Sequence, residues 1–159
     1  MAELPSIESV RASYDPLAGK IAPHVTLVFP FDSPLSPEEL VAHVIRVAEA
    51  TEPFELSLGP PQAEAHGYVW LPVVEGRKQV VCIHDRLYTG ILREFLSTEH
   101  AYSPHLTVAH VSEQRLADAF REAQTLKGPH VARIDRVVIE RISKNETSEV
   151  ESVIMLGQK

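Results

Sequence analysis

Two stretches of the chain read alike: Pro23-His24-Val25-Thr26-Leu27 and Pro104-His105-Leu106-Thr107-Val108. Each sets His and Thr two positions apart among apolar residues. Residues i and i+2 of a strand share one face, so each stretch shows an imidazole and a hydroxyl on one side. The opposite side carries Val25, Leu27 and Phe29, or Leu106 and Val108, into a core. Imidazole titrates near neutrality, so two rings flanking one group can serve as base and acid in one turnover. The hydroxyls lie about 6.6 Å along each strand, at ~3.3 Å per residue, and can donate to anionic oxygens. A phosphodiester attacked in line suits such a site. One ring takes a proton from water, the other protonates the departing oxygen, and Thr26 and Thr107 hold the non-bridging oxygens. This chemistry requires no metal.

A single strand histidine more often satisfies a nearby backbone group than reacts, and the matched pair is what favours chemistry. His100, His105 and His110 are evenly spaced. In a regular strand, however, His105 and His110 face opposite sides, and no carboxylate sits at ligand spacing, so no metal site is expected. His43, His66, His84 and His130 share no pattern and read as surface or partly buried residues. Trp70 alternates with Tyr68 on a strand and reads as core. Phe31 is a candidate for the mouth of the site. Lys20, Arg141 and Lys144 are candidates to draw in phosphate, although exposed basic residues are usually plain surface.

The elements that must place these groups follow from local signals. Residues 5–15 predict a short helix with Ser6 as a possible cap. Val25 to Phe29 predicts the first His strand. Ser36-Pro37-Glu38-Glu39 is a helix start, with Pro37 at the first helical position and Glu39 completing a capping box. That helix should run to about Ala50, bury Leu40, Val44 and Val47, and end before Pro53. Phe54 to Leu58 and Tyr68 to Val74 alternate as strands. Apolar positions at 80, 84, 87, 91 and 95 predict a helix over 78–96, with Gly90 a weak point inside it. The second His strand spans 105–111. Ser112 should cap a helix through Leu126, with Leu116, Ala119, Phe120 and Ala123 inward. Strands over 131–142 and 149–156 close the chain, joined by a polar turn that contains Asn145-Glu146-Thr147.

Each half thus reads helix, His strand, capped helix, then two strands. The order repeats, although the residues mostly do not. The expected fold is α+β and bilobal: a duplicated unit with antiparallel sheets lining a central cleft, helices outside and a pseudo-twofold between halves of roughly 1–75 and 76–159. All 159 residues form one expected domain.

Composition bounds the partners. The formal charge is −7, which disfavours a broad grip on duplex nucleic acid. Cys82 is alone, so neither a disulfide framework nor a cysteine zinc site is expected, and the residue reads as an apolar filler. With no long apolar run and no basic-then-apolar leader, the sequence reads as soluble and cytoplasmic. No cofactor and no membrane partner are expected, and nothing demands more than a monomer.

At the paired His-x-Thr-x motifs the chain resembles the two-histidine (2H) phosphoesterase superfamily, within it the bacterial 2′-5′ RNA ligase-type proteins. The resemblance spans roughly Pro5 to Leu156. It implies a two-lobed fold around a central cleft and metal-independent action on cyclic phosphates or 2′-5′ linked nucleotides. By motif match the catalytic roles fall on His24, Thr26, His105 and Thr107. Three functions follow as expectations: a cyclic phosphodiesterase for small nucleotide or RNA-end substrates, a 2′-5′ RNA ligase using the same site, and a non-catalytic RNA or nucleotide-end binding module.

Overall fold

Arg11 explains how the chain approaches its first motif. It lies on α1 (Pro5–Tyr14) and is 1% exposed, buried beside Ile7 and Val10. A guanidinium is tolerated there only because its donors are satisfied. Nε donates to Asp15 at 2.9 Å, Nη1 pairs with Glu8, and Nη2 donates to the Ile21 carbonyl at 2.9 Å. The helix is thereby tied to the turn that enters Pro23. The computed structural model describes residues 5–158. Ser6 lies inside α1 and is not its cap.

The next helix, α2 (Pro37–Glu49), begins as the sequence predicts. The Ser36 hydroxyl accepts from the Glu39 amide, and the Glu39 carboxylate accepts from the Ser36 amide at 2.9 Å. This satisfies amides that no helical turn can reach. Val44 and Val47 are buried, and Leu40 packs against the core from its edge.

The strands are β1 (Phe54–Leu58), β2 (Gln62–Glu64), β3 (Tyr68–Pro72), β4 (His105–His110), β5 (His130–Ile134), β6 (Arg136–Ile142) and β7 (Ser148–Met155). All pairings are antiparallel. They form a sheet ordered β2-β3-β4 and two ribbons, β1-β5 and β6-β7. With α3 (Arg77–Leu87) and α4 (Glu113–Ala123), the fold is a mixture of helices and antiparallel sheets. The core joins Ile7 and Val10 of α1, Val44 and Val47 of α2, Val80 and Ile83 of α3, and Ala119 of α4 to the inner faces of β3 and β4.

Several predicted elements are corrected. The helix expected over 78–96 stops at Leu87 and resumes as a 3-10 segment, Gly90–Phe95, because Gly90 takes a left-handed φ of 57°. The strand expected over 131–142 breaks at Asp135: β5 pairs with β1 while β6 pairs with β7. Three strands close the chain, not two. β2 has no counterpart among the predicted elements. It turns into β3 through Ala65–Gly67, where Gly67 has φ 80° and a Cβ would lie 1.7 Å from the Val111 carbonyl oxygen. Ser112 stands at the N-cap of α4 with extended backbone, but its side chain makes no capping bond.

The largest difference concerns the first His strand. Between Val25 and Phe29 only Val25 bridges another strand, opposite Leu106. Val25, Leu27 and Val28 pack on the core as partly buried residues, whereas Phe29 is 53% exposed rather than inward. Leu106 is 0% exposed and occupies the centre of this contact. Leu106→Ala should therefore cost on the order of 2–5 kcal/mol, the usual range for emptying a packed leucine site. Urea unfolding monitored by far-UV circular dichroism checks this.

Candidate active site

The Val25–Leu106 bridge determines how the two motifs meet. An antiparallel pair carries a local twofold axis, and the register of this one sets His24 opposite Thr107 and Thr26 opposite His105. Val25 and Leu106 point to the core. The four polar side chains alternate with them and lie on the other face.

Both imidazoles are held in the same way. His24 Nδ1 lies 2.8 Å from the Ala22 carbonyl oxygen, and His105 Nδ1 lies 2.7 Å from that of Ser103. A carbonyl can only accept, so Nδ1 carries the hydrogen in each ring and Nε2 is the free nitrogen. The geometry has a local cause. In each case a proline separates the carbonyl from the histidine, locking its own φ and keeping the preceding residue extended. Pro23 and Pro104 thus select a tautomer as well as a turn. The sequence carried that signal in its two Pro-His pairs.

The two rings differ in their surroundings. His24 is exposed. His105 is half-buried beneath Trp70, ring centroids 3.7 Å apart and planes within 13°. Burial dominates its titration and pulls it below the ordinary 6.5; the Ser103 carbonyl and Glu64 oppose that shift, and His24 reinforces it. His24 is thus close enough for its charge to disfavour protonation of His105. Two imidazoles held alike through Nδ1 thus sit in unlike surroundings, one exposed and one half-buried.

Trp70 is therefore not the core residue that alternation predicted. It stacks on His105, and its neighbour Tyr68 stacks on His110 at 4.0 Å with planes 4° apart. The first stack follows from the regular pairing of Trp70 with Thr107 and Pro72 with His105, and the second from a bulge in β4. Trp70 pairs with Thr107 but Val69 with Ala109, which leaves Val108 as the extra residue. Val108 and Ala109 are both buried, and the alternation restarts one residue late. His110 consequently shares a face with His105, contrary to the expectation from regular spacing. Among the described residues, no group of three or more His, Cys, Asp or Glu side chains is arranged to hold a metal ion.

The remaining candidates are placed as follows. Phe31 stacks on Phe95 of the 3-10 segment at 4.3 Å. Lys20 is exposed in the turn before Pro23. Arg141 lies on β6, where Nη2 donates to Glu151 at 2.7 Å within the β6–β7 ribbon. Lys144 is exposed in the turn between those strands. Among the other histidines, His43, His84 and His130 are buried, and His43 Nε2 lies 2.8 Å from the Leu87 carbonyl oxygen.

If the indole is what keeps water from His105, its removal has a defined sign. Trp70→Ala should raise the His105 titration midpoint toward 6.5, because the charged form regains solvent. Imidazole NMR titration of wild type and variant checks this; an unchanged or lower midpoint contradicts it.

Comparison with known proteins places the chain. The family model for the 2′-5′ RNA ligase superfamily matches residues 2–146. A Bacillus cytotoxicus relative, named as a putative phosphoesterase, is 28% identical over 153 residues, covering 94% of this chain and 87% of its own. A Bacillus licheniformis relative of the same description is 26% identical over 155 residues, covering 94% and 89%. E. coli LigT, solved with 3′-AMP, superposes with a TM-score of 0.64 at 19% identity, covering 98% of this chain and 95% of that one. A Thermus thermophilus structure gives 0.62 at 14% identity, covering 96% and 90%. These two likenesses concern the fold. No helix among the described residues is long and apolar enough to cross a membrane. With its family model matched over most of its length, the chain belongs to the 2′-5′ RNA ligase superfamily of two-histidine phosphoesterases.

Proposed function

We propose that the protein is a metal-independent phosphodiesterase that opens a 2′,3′-cyclic phosphate or a related small cyclic or 2′-5′ nucleotide phosphodiester. The supporting observation is the pair of imidazoles with matching tautomers and unlike burial. His105, its pKa lowered by desolvation, holds a bare Nε2 near neutrality and acts as base. Its Nε2 takes a proton from water as the water oxygen bonds to phosphorus. The phosphorus–oxygen bond to the sugar breaks, and the departing oxygen takes the proton from Nε2 of His24. Thr26 and Thr107 donate hydroxyl hydrogens to the non-bridging oxygens as their charge grows. One water is consumed and a phosphomonoester is formed. With an RNA 5′-hydroxyl in place of water, the same constellation joins ends: that oxygen bonds to phosphorus as His105 takes its proton, the bond to O3′ breaks, and O3′ takes the proton from His24. A 2′-5′ linkage is left, and the family's ligase designation keeps that reading alongside the first.

In this reading the substrate is a small nucleotide or an RNA end, since a charge of −7 opposes a long duplex footprint. A monomer with no cofactor suffices, and one free thiol, Cys82, suits the cytoplasm.

Hydrolysis of nucleoside 2′,3′-cyclic phosphates should proceed in EDTA and follow a bell-shaped pH profile. The acidic limb reports His105, whose lowered pKa keeps the base competent below the ordinary 6.5. His24→Ala and His105→Ala should each reduce kcat by roughly 10²–10⁴-fold. Full activity in either variant, or an absolute requirement for divalent metal, overturns the mechanism. Oligonucleotide binding without turnover would assign the chain to the binding modules.

A further inference from the structure

The first motif has little backbone pairing of its own, yet it must present His24 and Thr26 to β4. Two tyrosines from the other half of the chain provide the missing partners. The Tyr102 hydroxyl donates to the Thr26 carbonyl oxygen at 2.6 Å. The Phe29 amide donates to the Tyr88 hydroxyl oxygen at 3.1 Å. The two bonds bracket Thr26 to Phe29, beyond the single Val25 bridge.

Both phenols are oriented by one ring. His84, 5% exposed on α3, stacks on Tyr102 with centroids 3.7 Å apart and planes within 5°. It meets Tyr88 edge-on at 4.9 Å. Its own Nδ1 lies 2.9 Å from a carboxylate oxygen of Asp85. Burial raises the Tyr102 pKa far above its ordinary value, so its hydroxyl stays protonated and remains a donor. Tyr102 is also the backbone neighbour of Ser103, whose carbonyl fixes the His105 ring. One residue thus touches the supports of both motifs: its hydroxyl holds Thr26, and its main chain leads into the carbonyl behind His105.

We propose that Tyr102, oriented by His84 and assisted by Tyr88, is a positioning residue that sets the His24–Thr26 segment against β4. The proposal rests on the phosphodiesterase reading for its kinetic consequence, but not for its structural one. Tyr102→Phe keeps the stack on His84 and removes only the bond to Thr26. It should lower kcat on a nucleoside 2′,3′-cyclic phosphate about tenfold while KM stays within about twofold, because misplacement harms the reacting geometry more than binding. Tyr88→Phe removes the acceptor of the Phe29 amide without disturbing Tyr102.

Amide hydrogen exchange read by NMR provides the arm independent of activity. Phe29 should exchange at least about tenfold faster in both variants, while Leu106 and Val108 keep wild-type protection. Wild-type kcat in Tyr102→Phe, together with unchanged Phe29 protection in both variants, overturns the proposal and leaves the phosphodiesterase reading standing. Accelerated exchange throughout β4 would also overturn it, by showing a general structural role. A wild-type protein inert on every cyclic phosphate, with Phe29 protection lost as described, sinks the phosphodiesterase reading and leaves the positioning role standing.

Discussion

The antiparallel bridge between Val25 and Leu106 is the contact on which the site depends. Its local twofold turns two separate His-x-Thr segments into one set of four polar side chains. The forces that hold it are ordinary. Leu106 is fully buried, and Val25, Leu27 and Val28 pack on the same core. Hydrophobic burial therefore fixes the depth of the strands, and alternation then turns the reactive groups outward.

Symmetry of backbone does not give symmetry of chemistry. Both rings use Nδ1 on a carbonyl two residues upstream, which leaves Nε2 free in each. Trp70 covers only one of them. Removing water from His105 disfavours its charged form, while His24 remains exposed. The cross-strand indole, stacked on His105 and not on His24, is what sets the two surroundings apart.

What the sequence made legible was local, and what it hid was tertiary. The α2 capping box, the break before Pro53 and the His-Thr alternation follow from spacing within a few residues, and each appears in the fold. The bulge at Val108 does not. It places two successive apolar residues inward, and no pattern in His-Leu-Thr-Val-Ala-His separates that from a regular strand. The stack of Trp70 on His105 depends on the pairing of β3 with β4, which local periodicity cannot specify. The tyrosine supports were hidden for the same reason: they bond to main-chain atoms 59 and 76 positions away, where residue identity leaves no trace.

In the phosphodiesterase proposed above, the free Nε2 atoms of His24 and His105 address one phosphate. Long-range ¹⁵N–¹H correlation spectra of the imidazoles, recorded while a nucleoside monophosphate is titrated in, test it most directly. Saturable shifts of both Nε2 resonances with a single dissociation constant, and Nδ1 protonated throughout, are the expected result. A response from one ring alone, or from neither, would contradict it.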